Sequence, residues 1–235
     1  MSDAPTLIRN LGLTLIPVIL SLSVHAYAHG WVATRLGDDM ARQAGRLTLN
    51  PLPHIDLFGT LIIPALGAIL AQGPFGLIAW PKPVPFDPAK LRLGGRVSPR
   101  LGAALVAIAG PLTNALIAVG SIALMAALVR GHRSWLLTDV EDGDAMSTYY
   151  TPLGVVLNAF WTRNVALAIF NLLPFPPLDG HHLLPPMLDR LQRAVGRYGF
   201  LFLMLALTND RVSNAILFKP MNGVTHLMVR TFGVY

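Results

Sequence analysis

The sequence predicts an all-α polytopic membrane protein, built as one compact unit over residues 1–235. Hydrophobic residues make up 53% of the chain and charged residues only 13%, where soluble domains carry about 25% charge. The mean hydropathy is +0.54, and several apolar runs reach the roughly 20 residues a helix needs to cross a bilayer. Three long helices are expected at about 7–36, 101–129 and 153–173, with a re-entrant or β-hairpin segment at about 45–80 and additional C-terminal helices. Residues 7–186 form the core of this arrangement and 187–235 a helical extension.

The first run, Leu7 to Leu36, contains His25 and His29. It follows a start, "MSDAPTLIRN", without the basic region and small-residue cleavage site of a secretory leader, so the helix is expected to be retained. The second run, Leu57 to Trp80, is interrupted by Pro64 and by "GPFG" at Gly73 to Gly76. A polar, proline-rich linker from Pro81 to Pro99 leads to the third run, and a polar linker at 131–150 to the fourth. In the tail, shorter runs at Tyr198–Leu207 and Val212–Tyr235 indicate further helices, and no internal repeat or low-complexity tract is visible.

Charge orients these segments. The net charge of +6 lies mainly between the apolar runs, where it sets topology and carries no nucleic-acid signature. Lys82, Lys90, Arg92, Arg96 and Arg100 face only Asp87 in the linker after Trp80, which places that linker in the cytoplasm. Asp139, Glu141, Asp142 and Asp144 against Arg133 put the next linker outside, and Arg190, Arg193 and Arg197 return the chain to the cytoplasmic side. Cysteine is absent, which excludes disulfides and thiolate metal sites; any metal must rest on His, Asp or Glu.

The pair in "SVHAYAHGW" suits such a metal. Residues i and i+4 share one helix face, roughly 6 Å apart along the axis, so two imidazoles can reach one ion. Spacing alone leaves packing or hydrogen bonding equally open, but polar groups at membrane depth are costly and favour function. The candidate third ligand is Asp179 in "NLLPFPPLDGHHLL", where a proline-rich break and Gly180 bend the backbone. Two histidines and a carboxylate leave a fourth zinc position for water. His54, His181 and His182 read first as interfacial hydrogen-bonding groups. For the ligands to meet, the run 57–80 must turn back; a full crossing would leave Asp179 on the opposite side from His25 and His29.

Four motifs in order then resemble the site-2 protease family in its compact bacterial form. "VHAYAHGWVATRLGD" is similar to the family's His-Glu-x-x-His helix, and "GRLTLNPLPHIDLFGTLIIP" with "WPKPVPFDP" to its connecting stretches. "AGPLTN" resembles the next core helix, and "NLLPFPPLDG" the Asn-Pro-Asp-Gly segment. The resemblance covers about residues 19 to 186. It implies an intramembrane zinc metalloprotease of the bacterial cytoplasmic membrane that faces the cytoplasm and cuts transmembrane segments of other proteins. It implies one Zn2+ per chain on His25, His29 and Asp179, with Asn171 near the substrate carbonyl.

One position departs from the family. Its glutamate is Ala26 here, and a methyl group cannot carry the proton from a metal-bound water to the leaving amine, a contribution of about 10²- to 10⁴-fold. The sequence as written is therefore expected to be nearly inactive, as a glutamate-to-alanine exchange in an otherwise intact peptidase. Asn114 is a candidate substrate contact or a helix-packing residue, as His54 is a candidate substrate contact beside its structural reading. "RLTL" and "TLII" read as β-like pieces that either dock extended substrate or form an interfacial lid. Gly110 and Pro111 are read as shaping their helix. Two further classes remain open: a natural pseudoprotease that binds transmembrane helices, and, ranked last for want of repeated halves, a metal transporter.

Overall fold

The computed structural model describes residues 4–70, 78–91, 95, 97–142, 145–190, 196 and 198–233. The break at Gly73–Gly76 and the charges Arg92, Arg96, Asp144, Arg193 and Arg197 lie outside the described residues. Three helices are long and apolar enough to cross a membrane: α1 (Ala4–Arg35), α4 (Pro99–His132) and α5 (Pro152–Asn171). Each lies within a few residues of an expected run, and the protein is an all-α polytopic integral membrane protein. Exposed Ile16, Leu20, Leu105, Leu112 and Leu116 cover the outer faces, as lipid contact requires.

α1 turns one face inward, with Val18, Leu22, His25, His29 and Ala33 buried at three- and four-residue intervals. Pro17 is accommodated within it. α4 starts at the cap Ser98, whose hydroxyl accepts from the Leu101 N–H, with Pro99 at the first helical position. Its buried stripe of Gly102, Val106, Gly110, Asn114, Ala118, Ile122 and Ala126 repeats every four residues. The small residues let neighbouring backbones approach closely, and α4 packs on both α1 and α5. Thr151 caps α5 in the same way, accepting from Gly154 N–H, with Pro152 at the first helical position.

Among the described residues of the segment at 45–80, Leu57–Leu70 is helical and no β-hairpin forms, while the two described ends meet as in a re-entrant loop. A short α2 (Met40–Gln43) precedes it. The Asp56 carboxylate then accepts from the N–H groups of Phe58 and Gly59, starting a π-helical stretch, Leu57–Ile62, that continues as α3 (Ile63–Leu70). The fourteen described helical residues span about 21 Å, against a bilayer core of roughly 30 Å. The chain comes back at Trp80, whose N–H donates to the Gly59 carbonyl, while the Thr60 hydroxyl donates to the Trp80 carbonyl. Two residues later the Lys82 N–H reaches the His54 carbonyl. Both ends of the loop therefore lie together.

Two sequence expectations for this segment are corrected. "TLII" is helical because a helix satisfies its own backbone groups where water is absent, and "RLTL" is a series of bends closed by the His54 ring on the Thr48 carbonyl at 2.8 Å. Strands form elsewhere. β1 (Leu137–Asp142) and β2 (Ala145–Tyr150) pair antiparallel within the linker expected as a loop, from Leu137 opposite Tyr150 to Asp142 opposite Ala145. Arg163, in the middle of α5, donates to the Thr14 hydroxyl of α1 at 3.3 Å.

The C-terminal extension comprises α6 (Gly199–Ala206) and, after a bend of 102°, α7 (Asp210–Ser213), a π-helical turn Asn214–Phe218 and α8 (Lys219–Phe232). Leu203, Leu207, Leu217, Met221 and Met228 join the main core with Ile122, Met125 and Phe170. The Arg130 guanidinium donates to the Phe232 carbonyl at 2.6 Å, tying the end of α8 to the end of α4.

The return of the re-entrant loop depends on Gly59. A Cβ there would lie 2.4 Å from the Trp80 indole. Gly59→Val is expected to cost about 1–3 kcal/mol by overpacking, lowering Tm in detergent by ~2–4 °C per kcal/mol for a chain of this size. Gly12→Ala, with nothing within 4 Å of the added carbon, serves as the control. An unchanged Tm in Gly59→Val would sink this packing account.

Candidate metal centre

α1 supplies two ligands one turn apart, and the bend after α5 supplies the third. His25 Nε2 lies 3.1 Å from one Asp179 carboxylate oxygen, and His29 Nε2 lies 3.2 Å from the other. The two Nε2 atoms are 2.9 Å apart. One ligand atom from each residue falls within 4.8 Å of the others, and this is the group of three metal-ligating side chains found among the described residues. Both imidazoles are buried, and the Asp179 side chain is 18% exposed.

The local sequence explains how each group is aimed. His29 Nδ1 sits 2.6 Å from the Val106 carbonyl of α4; donating that N–H fixes the tautomer and leaves the Nε2 lone pair pointing into the group. α5 ends at Asn171, where Pro174, Pro176 and Pro177 forbid continuation. Gly180 then packs so tightly on the last turn of α5 that a Cβ would lie 2.0 Å from the Leu172 carbonyl oxygen, which pins the neighbouring Asp179. Further along, Arg100 at the start of α4 pairs with Asp189 at 3.1 Å and donates to the Leu184 carbonyl. Burial pushes the Asp179 carboxyl up, but the His29 and His25 imidazoles beside it more than reverse this and hold it below the usual carboxylate range.

The opposite wall comes from α4. A Cβ on Gly110 would stand 2.4 Å from His29 Nε2 and 2.5 Å from His25 Nε2. Glycine therefore keeps open the space onto which the imidazole nitrogens converge. This donor set, two imidazole nitrogens and a carboxylate with room for a further ligand, fits a zinc ion of the catalytic kind. Gly110 was missed as a site residue because its signal in sequence, a glycine before a proline, is the signal of a helix bend.

A cavity of about 270 Å³ opens beside the group. It is lined by the polar side chains of His29, Asn171, Asp179, His181 and His182 and by Pro81, Pro83, Val84, Phe86, Ala107 and Pro177. Asn171 is buried, and its Nδ2 donates to the Leu167 carbonyl at 2.9 Å. Ala26 is fully buried directly after His25. The structure does not bring the remaining candidates to the cavity wall. Asn114 lies one helical turn beyond Gly110, buried, with neither amide atom hydrogen-bonded among the described residues. His54 is buried in the re-entrant segment, its ring on Thr48 and its carbonyl on Lys82. His181 and His182 do reach the cavity. The His181 ring bonds the Leu178 carbonyl at 2.5 Å, and burial and the adjacent His181 push His182 down to about 4, so its ring is neutral at neutral pH.

Comparison with known proteins agrees with this geometry. The sequence model of Peptidase family M50 matches residues 13–206. The chain is 34% identical over 199 residues to the Bacillus subtilis (strain 168) protein named "Putative zinc metalloprotease YwhC", covering 83% of this chain and 80% of that protein. It is 30% identical over 193 residues to the Mycolicibacterium smegmatis protein named "Putative zinc metalloprotease Rip2", covering 80% of this chain and 64% of that one. No solved structure matches.

Metal analysis of the purified chain is expected to find zinc despite Ala26. His25→Ala and Asp179→Ala are expected to lose it, and Gly110→Val to lower affinity by at least about 10–100-fold although it removes no ligand. Gly120→Ala, on the same helix with nothing within 4 Å of its added carbon, is expected to retain full zinc. Undiminished zinc in Asp179→Ala would sink this donor set.

Proposed function

The chain belongs to peptidase family M50, and from that premise we propose that its fold is that of an intramembrane zinc metalloprotease that cuts transmembrane segments of other membrane proteins. The observation that carries this reading is the meeting of His25, His29 and Asp179 at the edge of a cavity, among helices of bilayer-crossing length. One zinc per chain is held by these three side chains. The linker charges support a site facing the cytoplasm of a bacterial cell from its cytoplasmic membrane.

Each residue has a chemical task in this reading. A bound zinc supplies Lewis-acid polarisation of a peptide carbonyl and an acidified water. The Val106 carbonyl holds His29 in the ligating tautomer, and the Gly180 contact holds the carboxylate. Asn171, which lines the cavity, supplies an amide that would orient the substrate carbonyl and stabilise charge on its oxygen. A substrate helix must unwind to enter, because its carbonyls are otherwise engaged in its own backbone bonds.

Ala26 limits the chemistry. A side chain there must take a proton and return it to the leaving amine, and alanine carries no such group. The chain as written therefore binds metal and substrate but turns over at most weakly.

Ala26→Glu is expected to raise zinc-dependent cleavage of purified single-pass substrates by about 10²- to 10⁴-fold, with abolition by Asp179→Ala. Cleavage fragments resolved by mass spectrometry provide the measurement. A folded, zinc-loaded Ala26→Glu protein that still cuts nothing but retains bound substrate would replace this reading with that of a membrane-helix binder.

A further inference from the structure

One wall of the cavity beside the metal group is rich in proline. Pro81, Pro83 and Pro177 line it, and proline brings no backbone N–H. The carbonyls of Lys82 and Pro83 are already taken by the Arg46 guanidinium, at 2.7 and 2.8 Å. The Lys82 N–H is bonded to the His54 carbonyl at 2.9 Å. The wall is thus fixed in place before any ligand arrives. A polar side chain laid against this proline wall would shed water and find few free backbone partners there, at a cost of about 1–3 kcal/mol per group.

Two rings complete the wall. Phe86 is half-buried, packed on one side against the core around Leu36, Leu91 and Val106. It also meets His182, with ring centroids 5.3 Å apart, and His182 in turn lies against His181 at 3.8 Å. Both Phe86 and His182 line the cavity. An apolar cavity of ~150 Å³ accommodates benzene, so about 270 Å³ holds a benzyl-sized group with room for the backbone that carries it.

We infer that this cavity is a specificity pocket for a large apolar side chain next to the peptide bond that is cut, and that Phe86 and His182 set its preference. The inference rests on the protease reading above and names the substrate chemistry that the same site selects. Neither residue is among the metal ligands; they act by shaping what sits beside them. His54 and Arg46 gain a role in this account, since they hold the proline-rich wall against the re-entrant loop.

The test uses the full chain as it stands, loaded with zinc, and needs no turnover. Three peptidyl hydroxamates identical except for a benzyl, a methyl or a carboxymethyl side chain are titrated calorimetrically. The benzyl compound is expected to bind at least about tenfold tighter than the carboxymethyl one, within the 10- to 200-fold that apolar pockets discriminate. Phe86→Ala and His182→Ala are expected to cut that ratio to about threefold or less. Phe86→Leu, which keeps the apolar packing, is expected to retain most of the ratio. Equal binding of all three compounds, or a ratio untouched in both alanine variants, overturns the pocket and leaves the protease reading intact. A chain that takes up no zinc overturns the protease reading, and the pocket with it.

Discussion

The structure is organised around the approach of the Asp179 carboxylate to two imidazoles one helical turn apart on α1. At membrane depth such groups cannot be left to water, and an isolated carboxylate or imidazole there is costly. Bringing the three together makes each the partner of the others, and a divalent cation held there would complete the balance of charge. Much of the surrounding architecture is explained as what this approach requires. Gly110 leaves the volume open, Val106 orients one ring, Gly180 locks the carboxylate's backbone against α5, and Arg100 ties down the segment that follows.

The same constraint accounts for the re-entrant loop. α1 carries its histidines in its second half, and Asp179 follows the exit of α5. With α4 and α5 forming an out-and-back pair, only a segment that enters and leaves on one side lets these ends coincide. The loop achieves this with the Trp80 return onto Gly59 and Thr60. Its exit, Pro81 to Phe86, is therefore delivered to the rim of the metal group, where it becomes the cavity wall. Topology and site are two views of one arrangement.

Ala26 stands next to the group formed by His25, His29 and Asp179 and brings no carboxylate of its own. On the proposed reading the chain keeps the side chains that would hold a metal and lacks the one that would carry the proton.

Much of this was legible in the sequence. The three spans follow from hydropathy, because a bilayer imposes length and apolar composition on any helix that crosses it. His25 and His29 share a face by helical spacing alone, and Asp179 stands out as a carboxylate after a proline break. Other features were not legible, because they depend on which surfaces meet. Gly110 reads as a bend until α1 lies against α4; His182 reads as an interfacial polar group until the fold sets its ring against Phe86 beside the cavity. The strands expected at "RLTL" and "TLII" failed because β-propensity is a weak guide where burial in lipid favours a backbone that satisfies itself. Local spacing along one helix determined the ligand pair. The third ligand's approach, the open space at Gly110 and the cavity wall were decided by tertiary packing, since each is a distance between segments far apart in the chain.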